Sequence, residues 1–260
     1  MITAPYRVFG QLLKKDFLAF KRTALSKLFD TLCLFLTNVL VFGYFMRFIG
    51  AGESYPAFFV VGSITSFGLI EIVGKVGVLI ADIHGSRTIY YWLGLPIHPR
   101  WLFCYIALSW AMTSTIISAL MFPIGKLLVF HGLDLTAISY VRLLPIFVTA
   151  QLFFGFFALW LASVLKNLVS LNSLWLRYIA PMWMFGGYTF SWEAAYQAHP
   201  VLGYCLLVNP MLYVMEGMRA AALGQTGYLP YWVCLTVLWV VILGCAFRSI
   251  SLLKKRLDSV

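Results

Sequence analysis

The polar residues able to do chemistry in this 260-residue chain are few. The densest run is Asp82–Arg100, DIHGSRTIYYWLGLPIHPR, between two apolar segments that are each long enough to cross a bilayer. It carries Asp82, His84, Gly85 and Arg87, a Tyr90-Tyr91-Trp92 cluster, and a Leu93-to-Pro96 turn closed by Pro99 and Arg100. A rigid basic-aromatic loop of this kind suits docking to a partner. Two further ionisable features fall inside apolar segments. Glu71 and Lys75 are four residues apart on one helix face, where pairing lowers the cost of burying either charge. Alternatively, Lys75 sits near the segment end and snorkels, with Glu71 as its local partner. Arg177 lies well inside an apolar run, where a lipid-facing charge costs at least ~2.5 kcal/mol. It is expected to face the interior, a water-filled cavity or a carboxylate such as Glu71, either as a structural partner or on a transport path.

Covalent chemistry finds little support. The pairs Gly74-Lys75 and Gly125-Lys126 lack the upstream glycine and following Ser/Thr of a phosphate-cradling loop. His84, His98, His131 and His199 share no ligand spacing, so no metal site is expected. No Ser/His/Asp or Cys/His set assembles from loops on one side. The five cysteines read as small buried apolar residues. Aromatics are dense from Trp175 to Trp192, including Trp183 and Tyr188. These rings suit an interfacial belt and helix packing, or a cavity wall that stacks on sugars or acyl chains.

Hydrophobic residues make up 62% of the chain and charged residues 11%, against about 25% charged in soluble domains. The apolar runs are continuous, not alternating, which indicates an all-α polytopic membrane protein and not a β-barrel. The net charge of +10 sits beside apolar segments, a placement that argues for a membrane surface and against nucleic acid.

Six spans are expected: about 28–49, 55–80, 101–120 and beyond, 143–164, 168–188 and 231–250. Ahead of them, Phe9, Leu13 and Phe17 recur at helical spacing among Lys14, Lys21 and other bases. This pattern predicts a cytoplasmic amphipathic helix, residues 1–27, lying on an anionic leaflet. Residues 28–260 then form the membrane domain. Segment 191–227, broken by Pro200 and Pro210, is too apolar for a free loop and too interrupted for a span, so it reads as re-entrant. With both termini cytoplasmic, thirteen of the nineteen Lys and Arg lie inside and four outside, which fixes the expected orientation.

Two motifs carry a resemblance. Gly85-Ser86-Arg87-Thr88 followed by Leu93-Gly94-Leu95-Pro96-Ile97 resembles the polar segment after the second span in ABC type-2 exporter permeases, with Ser86 where that family usually has Thr. Asn209-Pro210 followed by Glu216 and Arg219 is similar to the family's extracytoplasmic Asn-Pro…Glu…Arg segment. Together with the six expected spans, the resemblance covers nearly the whole chain. It implies a permease in a bacterial inner membrane, paired with a second copy and driven by two separate ATPase subunits that bind ATP and Mg. This chain itself would hold no cofactor and hydrolyse nothing. The role of coupling to the ATPase would fall on Asp82, His84, Gly85, Arg87, Leu93 and Pro96. Phe9, Leu13, Lys14, Phe17 and Lys21 would supply a second contact. The cargo would be amphipathic: a lipid-linked glycan, a lipid or a drug-like molecule. The alternatives are a membrane-embedded enzyme or a channel acting on lipids. An enzyme would need clustered acid, His or Ser groups, whereas the nine acidic residues are scattered.

Overall fold

A computed structural model describes residues 4–46, 50, 52, 54–85, 88–129, 138–165 and 170–258; side chains are not described at 4, 5, 84, 172, 257 and 258. Within these residues every regular element is helical. α1 runs Ala4–Asn38 and continues as a wider π-helical stretch, Val39–Phe45. α2 (Tyr55–Ile70) and α3 (Ile72–His84) form one nearly continuous helix interrupted at Glu71. α4 (Thr88–Leu93) is a short loop helix, followed by the long α5 (Pro99–Leu128) and α6 (Tyr140–Val164). α7 (Ser170–Leu174), a π stretch (Trp175–Ile179) and α8 (Ala180–Met184) follow in direct succession. α9 (Trp192–Ala198), α10 (Pro200–Leu206) and α11 (Pro210–Ala222) lead to the last helix, α12 (Tyr231–Asp258).

Five helical stretches are long and apolar enough to cross a membrane: Tyr6–Phe45, Tyr55–Ile83, Pro99–Leu128, Tyr140–Val164 and Tyr231–Arg256. A sixth is reached by counting α10 and α11, bent 98° to one another, as one span. The protein is therefore a multi-pass helical membrane protein.

α6 is the hub, packing against α12, α5, α3, α11 and α2. Glycine permits the closest approach: a Cβ at Gly155 on α6 would run into the Ala107 carbonyl of α5. Side-chain hydrogen bonds fix which helix ends lie together. Arg256 near the end of α12 donates to the Ala162 and Leu165 carbonyls at the end of α6, at 3.1 and 2.8 Å. Tyr231 at the start of α12 donates to the Arg142 carbonyl at the start of α6 (2.9 Å). Tyr44 donates to the Leu128 carbonyl, and Phe9 meets Trp101 edge-on, so α1 runs parallel to α5. The beginning of α1 and the end of α12 thus lie at one end of the bundle.

Three expectations are revised. The amphipathic segment is not a separate element; α1 is unbroken through residues 22–28 and joins the first span directly. The stretch expected as a fifth span is helical only from Ser170 to Met184 among the described residues. Residues 168 and 169 of that expected span lie outside the described residues, and the helix closes at Met184, before the expected end at Tyr188. Of the cysteines, only Cys234 is buried; Cys33 and Cys205 are exposed, and all five are free.

Candidate functional site

The loop after α3 folds because Asp82 closes it. Its carboxylate accepts from the Thr88 amide (3.1 Å) and the Ile89 amide (2.8 Å), satisfying two donors at the start of α4. Gly85 ends α3 with its amide on the Ala81 carbonyl, 2.8 Å away. His84 is the last residue of α3. Leu93 ends α4 half-buried, and Pro96 lies exposed beyond it. Arg87 lies outside the described residues.

α1 is fastened to this loop and to α5. The Lys15 ammonium stands 4.6 Å from the centre of the Trp92 ring, and Trp92 meets Tyr105 edge-on at 6.1 Å. The Tyr105 hydroxyl donates to Asp16. Phe9 packs on both Trp101 and Tyr105, and Leu13 also turns toward the bundle. Lys14, Phe17 and Lys21 face outward, so the expected docking set splits into an inner and an outer face. Asp16, Lys15 and Tyr105 were not singled out from sequence. Their only signal was an acid among bases on α1, and the partner of that acid is distant in the chain.

Glu71 and Lys75 do pair, at 2.8 Å. Lys75 also donates to the Trp110 carbonyl (2.9 Å) and to Ser114, and Ser114 donates to Glu71 (3.3 Å). Lys75 is thus spent sideways on α5, and the snorkelling alternative is set aside. The cluster borders a cavity of about 770 Å³ between α1, α3 and α5, whose charged rim adds Asp16 and Lys27 and whose apolar wall includes Phe20 and Trp110. Arg177 is elsewhere. It is exposed on the π stretch between exposed Leu176 and Tyr178, neither buried nor beside Glu71. Tyr188 is buried, its hydroxyl 3.1 Å from Ser63, its ring 4.9 Å from Phe59 and 4.4 Å from Trp183.

The Asn209…Arg219 segment forms a clamp. Pro210 opens α11 with no amide to leave unsatisfied. Asn209 caps that helix by accepting from the Met211 amide (3.0 Å), while its own amide donates to the Met182 carbonyl (2.8 Å). The Glu216 carboxylate accepts from the amides of Trp192 (3.1 Å) and Leu229 (3.0 Å). Arg219 is fully buried. Its guanidinium donates to the carbonyls of Phe58 (3.3 Å), Gly187, Tyr188 (2.9 Å) and Phe190 (3.5 Å), and it lies 3.5 Å from the centre of the Phe58 ring. Gly62 leaves room for it: a Cβ there would sit 2.6 Å from an Arg219 nitrogen. Arg219 thus takes carbonyls from α2 and from the irregular 187–190 stretch, and Glu216 takes the amides at the start of α9 and ahead of α12, so backbone groups with no ladder partner are satisfied. Among the described residues, no group of three or more His, Cys, Asp or Glu is placed to hold a metal ion.

No family model matches the sequence, and a search of curated proteins returned no match.

Proposed function

We propose that this chain is the membrane-spanning subunit of an ATP-driven exporter that moves an amphipathic substrate, coupled to a separate ATPase. One observation carries the reading. A short loop helix, capped by Asp82, is held to the first helix through Lys15–Trp92, and that helix is held in turn to α5 through Asp16–Tyr105, at the end of the bundle where α1 begins and α12 ends. A mechanical coupler needs this rigidity, because push on the loop must reach the spanning helices rather than dissipate locally. The outward face of α1, with Lys14, Phe17 and Lys21, lies free to share the same partner. The sequence offers no phosphate-cradling loop of its own, so the motor comes from outside.

Two copies are proposed to form the pathway, with the shared end of the bundle in the cytoplasm of a bacterial inner membrane. Exposed Arg177 favours a second copy, since such a charge is not left facing lipid. The test is purification of the tagged chain from native membranes. A P-loop ATPase should co-elute in equal amount, and Arg87→Glu should abolish substrate-dependent transport while membrane insertion stays normal. Elution of the chain alone, or transport at the native rate by the variant, overturns the reading.

A further inference from the structure

At the end of the bundle away from both termini lies a second cavity, of about 510 Å³, within the roughly 300–1,000 Å³ of small-molecule sites. It is walled by three segments: the start of α2, residues 189–194 and residues 223–228. The rings of Tyr55, Phe58 and Tyr228 line it nearly parallel to one another. Phe58 is 5.6 Å from Tyr55 at 26° and 6.4 Å from Tyr228 at 17°. Phe190 adds a fourth ring, and Ser54, Thr189 and Thr226 add hydroxyl-bearing side chains around the rim.

We infer that this cavity is a carbohydrate-binding site, in which the C–H face of a sugar ring stacks on the outer rings of the Tyr55–Phe58–Tyr228 stack and its hydroxyls bond to the rim. The composition selects the class. Flat aromatic surface with hydroxyl donors and acceptors at its edge matches a molecule that is apolar on its faces and polar around its rim. The same rings could in principle cage a quaternary amine. However, among the described residues no carboxylate lines the cavity, and the Arg219 guanidinium behind Phe58 opposes a cation there. The surface is also built in advance. Arg219 holds the carbonyls of Phe58 and Phe190, Glu216 holds the amides of Trp192 and Leu229, and the Tyr55 hydroxyl donates to the Thr189 carbonyl (3.1 Å). Gln225 fixes the third wall by donating to the Tyr228 and Leu229 carbonyls at 3.2 and 2.9 Å. Preorganisation of this kind removes much of the ordering cost of binding. The Glu216 and Arg219 of the sequence motif are thereby positioning residues for this wall.

The inference deepens the exporter reading by choosing a glycan-bearing cargo, and it rests on that reading for the cavity's place on the exit side. Its test uses the chain alone, so the two can fail separately. The chain is reconstituted in phosphatidylcholine nanodiscs, purified without sugar-headed detergent. It is titrated with tetrasaccharides of glucose, galactose and N-acetylglucosamine by calorimetry and saturation-transfer NMR. At least one should bind, with saturation strongest at its ring C–H protons. Tyr228→Ala should weaken binding about tenfold or more, whereas Tyr228→Phe, which keeps the ring, should retain it. Phe190→Ala serves as a second ring variant, and the melting temperature of each protein is measured alongside. No binding by any of the three sugars, binding indifferent to both ring variants, or preferential binding of tetramethylammonium overturns the inference. Sugar binding by a chain that recruits no ATPase would keep this site and sink the exporter.

Discussion

Arg219 shows how a single charged side chain can organise a membrane protein without touching a ligand. It gathers carbonyls from two segments that are 161 and about thirty positions away in sequence, and it stacks on the ring of one of them. Lysine is a poor substitute: one ammonium has three donors and no planar fork. Arg219→Lys is expected to lower stability by about 3–5 kcal/mol, read as a lower melting temperature in nanodiscs, because buried carbonyls are left unpaired. Glu216→Gln keeps an acceptor for one of two amides and should cost less, about 1–2 kcal/mol. The Glu71–Lys75 pair obeys a different rule. Lys75→Met strands a half-buried carboxylate and should destabilise by several kcal/mol, whereas Glu71→Gln with Lys75→Met should recover most of that loss. Equal melting points for the single and double variants would mean that the pair contributes nothing.

At the level of elements, the loop helix α4 is too short to be stable by itself, and its start depends on Asp82. Asp82→Ala should cost about 1 kcal/mol locally. Hydrogen exchange at the Thr88 and Ile89 amides should accelerate while α5 and α6 stay protected; unchanged exchange there would show that the cap is idle. The five long helices were legible in the sequence because runs of about 20 apolar residues have no other use. The joint between an interfacial helix and the first span was not. Both segments carry helical periodicity, and no Gly or Pro between residues 22 and 28 interrupts them, so α1 simply continues. The end of the expected fifth span was misplaced for the opposite reason. Composition extends to Tyr188, but Gly186 and Gly187, the latter at φ +80°, end the helix early and turn the chain toward Arg219. The site was legible only in its residue types. Asn209, Glu216 and Arg219 stood out through the motif that carried the resemblance, but their partners are backbone atoms that any sequence possesses.

For the molecule as a whole, burial is uneven across the bundle. The first and last long helices are mostly exposed, whereas α2, α3, α5 and α6 are largely buried, so the bundle has a covered middle and open flanks. Exposed apolar side chains on those flanks are satisfied by lipid and need no protein. Arg177 is different, because the π stretch presents it outward between Leu176 and Tyr178, and a charge on an apolar face is costly wherever that face meets lipid. In a symmetric pair, the two copies of this face would meet around a shared polar seam, and a twofold axis repeats every contact. Arg177→Glu replaces a cation with an anion at both copies of the seam, and Arg177→Leu removes the charge while keeping bulk. In nanodiscs sized for two copies, the wild type is expected to contain two chains by mass photometry. Arg177→Leu, which merely suits lipid better, should raise the fraction of single chains, and the fold within each chain should be unchanged because Arg177 is exposed and its side chain bonds to none of the described residues. If wild type and both variants hold a single chain per disc, the arginine faces water or headgroups instead, and the pathway must lie inside one bundle, beside Glu71 and Lys75.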